Sequence, residues 1–166
     1  MVRILLERGH KVRAMVHKQD ERSKELKQQG AETLICDFLD LKGLRRALIG
    51  VSGAYFGYPV APRIVEAAAF FAQAAKETHV EIIVNMSQAS ARDDAFSDTT
   101  IDHWVTEHLF DWSGVKTTHI RPTFFFDWFL YFAKGVQVGQ IQMPFDQNKI
   151  AFVSPEDIAY VAVKIF

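Results

Sequence analysis

Residues 1–16, MVRILLERGHKVRAMV, narrow the folds open to this chain more than any other stretch. Val2, Ile4, Leu5 and Leu6 form an apolar face at helical spacing, with Glu7 and Arg8 on the solvated side. Gly9 stands where a helix C-terminus favours a residue that tolerates left-handed backbone angles. From Lys11 to Val16 polar and apolar residues alternate, which is the period of a strand. Helix, glycine turn and strand are the second half of a βαβ unit. In dinucleotide-binding units the first half carries G-x-G-x-x-G, whose backbone N–H groups and following helix N-terminus cradle a pyrophosphate. No such motif occurs in the 166 residues, so function has to be read from other positions.

The alternation continues to the end of the chain. Residues 20–29 read as a polar helix stopped by Gly30, and 31–36 as a short strand. Residues 37–40 make a turn in which Asp40 caps the helix 41–49, ended by Gly50. Residues 51–56 are strand-like. Pro59 and Pro62 precede a long helix, 63–78, whose Ile64, Ala67, Ala68 and Phe71 face a core. A buried strand at 81–86, a polar loop at 87–98, a helix at 99–112 ending by Gly114, and a strand at 116–121 closed by Pro122 follow. An aromatic helix from about Phe124 and a short strand pair around Ile141 and Ile150 come next. The final helix starts at Pro155, a favoured first helical residue, with Ser154 as its cap. Strand–helix alternation at this spacing predicts an α/β fold, a doubly wound, Rossmann-like parallel sheet with helices on both faces. It forms a single domain over 1–166, and no internal repeat or linker divides it.

Charge and cysteine content exclude several function classes. A net charge of -1 leaves no electrostatic footprint for DNA or RNA, so no nucleic-acid partner is expected. The lone cysteine, Cys36, excludes an intramolecular disulfide and a thiolate metal site, and reads as a small core residue. Arg3, Glu7 and Arg8 interrupt the first apolar run, and the longest one, 124–133, is broken by Asp127 and too short to span a bilayer. A cytoplasmic protein with no membrane partner is the expectation.

Six segments, in order, carry a family resemblance: LLERGHKVRAMV at 5–16, AETLICDFLD at 31–40, ALIGVSGAYF at 47–56, AAKETHVEIIVNMSQ at 74–88, HWVTEHLFDWSGVKTTHIRPTFF at 103–125 and VSPEDIAYVAVKI at 153–165. Together they resemble the NmrA-like members of the atypical short-chain dehydrogenase/reductase superfamily. The resemblance implies strand order 3-2-1-4-5-6, with the strand and glycine loop that open the family's pattern absent from this chain at the sheet centre. It also implies a substrate-covering region beyond residue 166. A partial domain, or a start assigned too late, is therefore expected. Two strands left without a central neighbour would each expose unpaired backbone groups, at ~1–3 kcal/mol per buried group.

The resemblance implies a nicotinamide dinucleotide as partner and points to the residues that would meet it. The end of the second family strand reads the adenosine ribose, where an acidic residue selects NAD and basic residues accept the 2′-phosphate of NADP. His17, Lys18 and Arg22 occupy that position here and favour NADP over NAD; the alternative is a solvated basic loop. Asp37 and Phe38 match the acidic-plus-apolar pair beside the adenine, the alternative being that Asp37 starts a turn. Gly57, Tyr58 and Pro59, with Met86 at the end of the next strand, border the cofactor.

Ordinary short-chain dehydrogenases use a serine after the fifth strand and Tyr-x-x-x-Lys on the next helix, where the lysine lowers the pKa of the tyrosine acid–base. Ser87 stands at the serine position, but there is no Tyr-x-x-x-Lys. His103 takes the lysine's place and, titrating near neutral pH, is the candidate proton relay beside Ser87. The alternative is a satisfied helix histidine. His103 and Glu107 share a helix face at i and i+4, but lack a third ligand at useful spacing, so no metal is expected. Asp102 points elsewhere and no G-x-S-x-G elbow exists, which excludes a hydrolase triad.

The aromatic run Thr123-Phe-Phe-Phe-Asp-Trp-Phe-Leu-Tyr-Phe132 reads as core, subunit face or substrate wall, with some rings exposed and self-association into a homo-oligomer expected. Two functions fit this pattern. One is an NADPH-dependent oxidoreductase acting on a small carbonyl or quinone acceptor. The other is a non-catalytic NAD(P)-sensing regulator that binds a protein partner; an inactive fragment of either is the third reading.

Overall fold

Short polar side chains and glycines set most of the helix boundaries. The computed structural model describes residues 1–59, 61–131, 135, 137, 139 and 149–166. In chain order these form α1 (Val2–Glu7), β1 (Arg13–Val16), α2 (Glu21–Gln28), β2 (Glu32–Ile35), α3 (Leu41–Leu48) and β3 (Gly53–Phe56). They continue with α4 (Ile64–Glu77), β4 (Ile82–Met86), α5 (Asp98–Ser113), β5 (Lys116–Ile120), α6 (Trp128–Tyr131) and α7 (Pro155–Ile165). Gly9 and Gly114 close α1 and α5 with φ of 81° and 78°, angles that cost a residue with a Cβ. Asp20 caps α2 reciprocally with Ser23, and Ser154 caps α7 with Asp157. Such caps are worth about 1 kcal/mol each.

Among the described residues every strand pairing is parallel. β1 lies beside β2 with Arg13 opposite Glu32, and β3, β4 and β5 form a second sheet in which Phe56 faces Asn85 and Asn85 faces His119. The doubly wound α/β class is therefore present, but as separate sheets ordered β1-β2 and β3-β4-β5. Between β1 and β3, where the resemblance places the absent strand, runs a cleft of about 1410 Å³.

Helices cover both faces. Ile83 packs with Leu44, Phe56, Phe71 and Phe110 against α3, α4 and α5, while its neighbour Val84 packs with Ile120, Ile158 and Ala162 under α7. That alternation along β4 is the period of a strand buried on both sides. Ile4 of α1 joins Ala159 and Val163 on the α7 face.

Three local expectations need correction. Asp40 occupies the N-cap position of α3, but its carboxylate makes no cap bond and instead faces Arg46 Nη2 at 4.0 Å. The aromatic helix starts at Trp128 rather than Phe124, because Phe125 forms a parallel bridge with Val153; Phe126 N–H donates to Val153 O, and Val153 N–H to Phe124 O. Ile150 belongs to no strand; Ile141 and Phe132 lie outside the described residues. In the same segment Phe126, Trp128 and Leu130 are exposed, as the aromatic run led one to expect. Among the described residues no helix is long and apolar enough to cross a membrane.

Candidate functional site

A parallel sheet brings the loops after its strands to one end, outside the strands' carboxyl termini, where doubly wound folds bind ligands. His17 and Lys18 follow β1, Asp37 and Phe38 follow β2, Gly57, Tyr58 and Pro59 follow β3, Ser87 follows β4, and Arg121 follows β5. The structure draws His17 and Asp37 together, Nδ1 to Oδ2 at 3.9 Å, with both side chains largely in solvent. Lys18 and Arg22, on the loop and at the start of α2, are exposed and make no ion pair among the described residues. Asp37 Oδ1 accepts the Leu39 N–H at 2.8 Å, so this aspartate does shape its own turn while Oδ2 stays turned toward His17.

Phe38 lies edge-on to Phe56 and Tyr58, with ring centroids 5.2 and 5.7 Å apart. Tyr58 O–H donates to Pro62 O at 3.2 Å, which ties the loop back on itself. A Cβ on Gly57 would stand 2.8 Å from Tyr55 Cε1, so a larger residue there would have to displace the Tyr55 ring. Met86 is half-buried against Val84, Ile120, Ile158 and Ala162, and it lines the cleft.

Arg63 is a residue that the sequence did not mark. It caps α4 with φ of 76°, a left-handed conformation rare for a residue with a Cβ and costing of order 1–3 kcal/mol. Its guanidinium binds Glu66 through two bonds of 2.8 Å and lies in electrostatic reach of Tyr58 and Asp37. It therefore adds a cation to the side of the site that carries His17.

The opposite side of the site is a buried polar cluster between β4, α5 and the end of β5. Glu107 is 3% exposed, and Arg121 grips it twice: Nε donates to Oε1 at 2.8 Å and Nη2 to Oε2 at 2.5 Å. Burial pushes the Glu107 carboxyl up, but Arg121, Ser87 and His119 outweigh it and hold the group below the usual carboxylate range. Ser87 is among the groups that lower the Glu107 carboxyl, and its buried hydroxyl makes no full hydrogen bond. One turn before Glu107, His103 is 7% exposed. Burial pulls its pKa below the ordinary histidine value, against the opposing pull of Glu107 and Asp102.

Buried polar atoms without a partner gather on these two elements: Asn85 Oδ1 and Ser87 Oγ on and just after β4, His103 Nδ1 and Thr106 Oγ1 on α5. Native proteins pair most such atoms, so the concentration marks a place where polar groups are held ready. Behind them, Asn85 Nδ2 donates to His119 Nδ1 at 3.0 Å, and His119 Nε2 lies 3.1 Å from Asp111 Oδ1. This arrangement fixes the imidazole with its proton on Nε2. An asparagine within a buried strand is the sequence signal for this hydrogen-bonded relay.

Glu107 is committed to Arg121, and among the described residues no group of three His, Cys, Asp or Glu could hold a metal ion. Cys36 is buried, and burial pushes its thiol pKa up, which makes it a core side chain rather than a reactive thiolate.

The sequence pattern of the NmrA-like family matches residues 1–166. The NAD(P)H azoreductase of Xenophilus azovorans is 29% identical over 167 residues, which cover 99% of this chain and 57% of that protein. Among solved structures, the NADPH-dependent quinone oxidoreductase of Escherichia coli complexed with NADPH superposes with a TM-score of 0.86 at 22% identity, over 99% of this chain and 59% of that one. The triphenylmethane reductase of Citrobacter sp. complexed with NADP(H) gives 0.77 at 21% identity, over 92% of this chain and 55% of the other. The chain thus spans little more than half the length of these relatives.

Proposed function

This chain belongs to the NmrA-like family, and from that premise we propose that it binds NADP(H) in preference to NAD(H) and serves NADPH-dependent reduction of a quinone or small carbonyl acceptor. The observation that carries the reading is the set of cations after β1. His17, Lys18 and Arg22 are exposed at the ribose-reading position, and Lys18 and Arg22 are uncommitted among the described residues. Unpaired cations at that position suit a 2′-phosphate, and charge-assisted bonds to phosphate are the strong class of hydrogen bond. Asp37 and Phe38 border the adenine, and Gly57, Tyr58, Pro59 and Met86 border the rest of the dinucleotide. Relatives named for NAD(P)H or NADPH chemistry support the same reading.

The residues present fit the phosphate-reading end of the dinucleotide, whereas the 166 residues hold no G-x-G-x-x-G for the pyrophosphate. When bound, the reduced nicotinamide supplies a hydride. The chain's own residues Tyr58 and Met86 would border that ring, and Ser87 Oγ, close to Glu107, would hold a proton. Calorimetric titration is expected to show NADPH binding at least about tenfold more tightly than NADH. Lys18→Glu with Arg22→Glu is expected to remove most of that preference and leave NADH affinity unchanged. Equal affinity of the parent chain for both nucleotides would defeat the reading.

A second reading rests on burial. Ser87 and His103 are 4% and 7% exposed, which suits a sensor that binds the nucleotide without turnover and signals to a protein partner. Oxidation of NADPH by a panel of quinones and aldehydes separates the two. For the reductase, Ser87→Ala is expected to lower kcat about a hundredfold, the low end for a positioned proton donor, while the fold stays intact. Any limb of the pH–rate profile owed to His103 falls on the acid side of ordinary histidine titration, because burial lowers its pKa. Nucleotide binding with no turnover on any acceptor favours the sensor.

A further inference from the structure

Among the described residues only Arg63 and His79 hold a positive φ without being glycine. His79 lies just past the C-terminal end of α4, where left-handed backbone is common. Arg63 stands at an N-cap, where extended backbone is the rule. The caps Asp20, Ser97 and Ser154 follow that rule with φ of -144°, -96° and -90°. Arg63 gives α4 no side-chain cap bond in return for its strain. The backbone on either side is held: Ile64, Ala67 and Ala68 are buried in the first turn of α4, and Tyr58 O–H donates to Pro62 O. The guanidinium donates through Nε and Nη2 to Glu66 at 2.8 Å each. Those side chains are 57% and 42% exposed, and an ion pair so open to water contributes less than the strained backbone costs. Strain without an offset, in the loop that follows β3 at the ligand end of the sheet, marks function.

We propose that Arg63 is the clamp for the adenine ring of the bound dinucleotide, its guanidinium lying flat on the heterocycle; this rests on the nucleotide reading above. A carboxylate on one edge of a guanidinium fixes its plane and leaves its faces open to an aromatic ring, a stacking contact that suits arginine. Glu66 is therefore the orienting residue of the clamp. The placement follows from the neighbours. The rings of Phe38 and Tyr58 lie 5.7 Å apart, Tyr58 is tied to the residue before Arg63, and Asp37 is within electrostatic reach of the guanidinium. Arg63 thus stands beside the pair that borders the adenine. A phosphate would have to displace Glu66, whereas Lys18 and Arg22 carry no ion pair among the described residues and meet it without competition. Adenine is uncharged and stacks with the pair intact. Arg63 consequently serves NADPH and NADH alike, adding affinity without adding preference.

Arg63→Gly tests the clamp in the whole chain, because glycine accepts the left-handed φ while the guanidinium is lost. Its melting temperature is expected to be no lower than that of the parent. Calorimetric titration is expected to show NADPH and NADH each binding about fivefold more weakly or worse, with their ratio unchanged. Glu66→Gln, which keeps the arginine but loosens its plane, should fall between parent and Arg63→Gly. In the parent, nuclear Overhauser contacts are expected between the Arg63 δ-methylene and adenine H2 or H8. Unchanged affinity for both nucleotides in Arg63→Gly would overturn the proposal, leaving the arginine a structural role. A loss confined to NADPH would overturn it too, by making Arg63 a phosphate reader, and so would contacts to the nicotinamide ring instead of the adenine. Equal affinity of the parent for the two nucleotides, with both weakened in Arg63→Gly, would remove the 2′-phosphate reading and leave the clamp standing. A parent that binds neither nucleotide would remove both.

Discussion

Phe56→Ala is expected to lower the stability of this domain by about 3–5 kcal/mol, the range for truncating a fully buried phenylalanine. The residue is 0% exposed and sits at the centre of an aromatic cluster, with ring centroids 5.2 Å from Phe38, 5.2 Å from Phe71 and 5.1 Å from Phe110. Those neighbours belong to the loop after β2, to α4 and to α5, so the cavity cannot close by moving one side chain. For a domain of this size each 1 kcal/mol shifts the melting temperature by about 2–4 °C, which puts the expected drop near 6–20 °C in scanning calorimetry. Native domains are stable by only about 5–15 kcal/mol, so the variant approaches the limit of folding. Phe126→Ala is the control: that ring is 53% exposed, and its loss is expected to change stability by no more than about 0.5 kcal/mol. Equal melting temperatures for the two variants would show that the cluster does not carry the core. The effect reaches the site as well, because Phe56 ends β3 and its ring lies 6.3 Å from that of Tyr58.

What the sequence made legible was chemistry that acts within a few residues. Gly9 and Gly114 end helices by conformation alone, Ser154 and Pro155 start one by capping and pre-set φ, and Ile64, Ala67, Ala68 and Phe71 mark a core face by spacing; all four of the last are buried. The convergence of the loops after the strands was legible for the same reason, since strand–helix alternation in a parallel sheet brings them to one end. Partnerships between distant residues were not. Glu107 reads as a helix carboxylate one turn from His103 until Arg121, 14 residues on, is placed against it. His119 reads as a strand residue until Asn85 and Asp111 hold its two nitrogens. Asp40 illustrates the converse, a capping residue whose side chain serves a nearby arginine instead of the cap. The burial of Ser87 and His103 depends on how α5 settles over β4, and no local pattern encodes that.

The Glu107–Arg121 pair carries the second large effect, and its pH dependence distinguishes it from ordinary packing. Arg121→Met leaves a carboxylate that is 3% exposed without its bidentate partner. Breaking a buried pair from one side costs about 3–5 kcal/mol, and the low end is expected here because 47% of the Arg121 side chain is exposed and water takes over part of its role. In the parent chain the Glu107 pKa lies below its ordinary value of 4.5, so its stabilising contribution is present above that value and is lost as pH falls through the folded pKa. In Arg121→Met, burial is left as the dominant influence on the carboxyl and raises its pKa. The sign then reverses: the contribution of Glu107 is most favourable in acid and falls away as pH rises through the new folded pKa. Chemical denaturation at a series of pH values should therefore show the variant closest to the parent in acid and furthest from it at neutral pH. Pairing the change with Glu107→Gln removes the stranded charge and is expected to recover much of the loss at neutral pH and to flatten the pH dependence. A constant deficit across pH in Arg121→Met would assign the effect to the arginine's packing and deny the ion pair its role in holding Glu107 ionised beside Ser87.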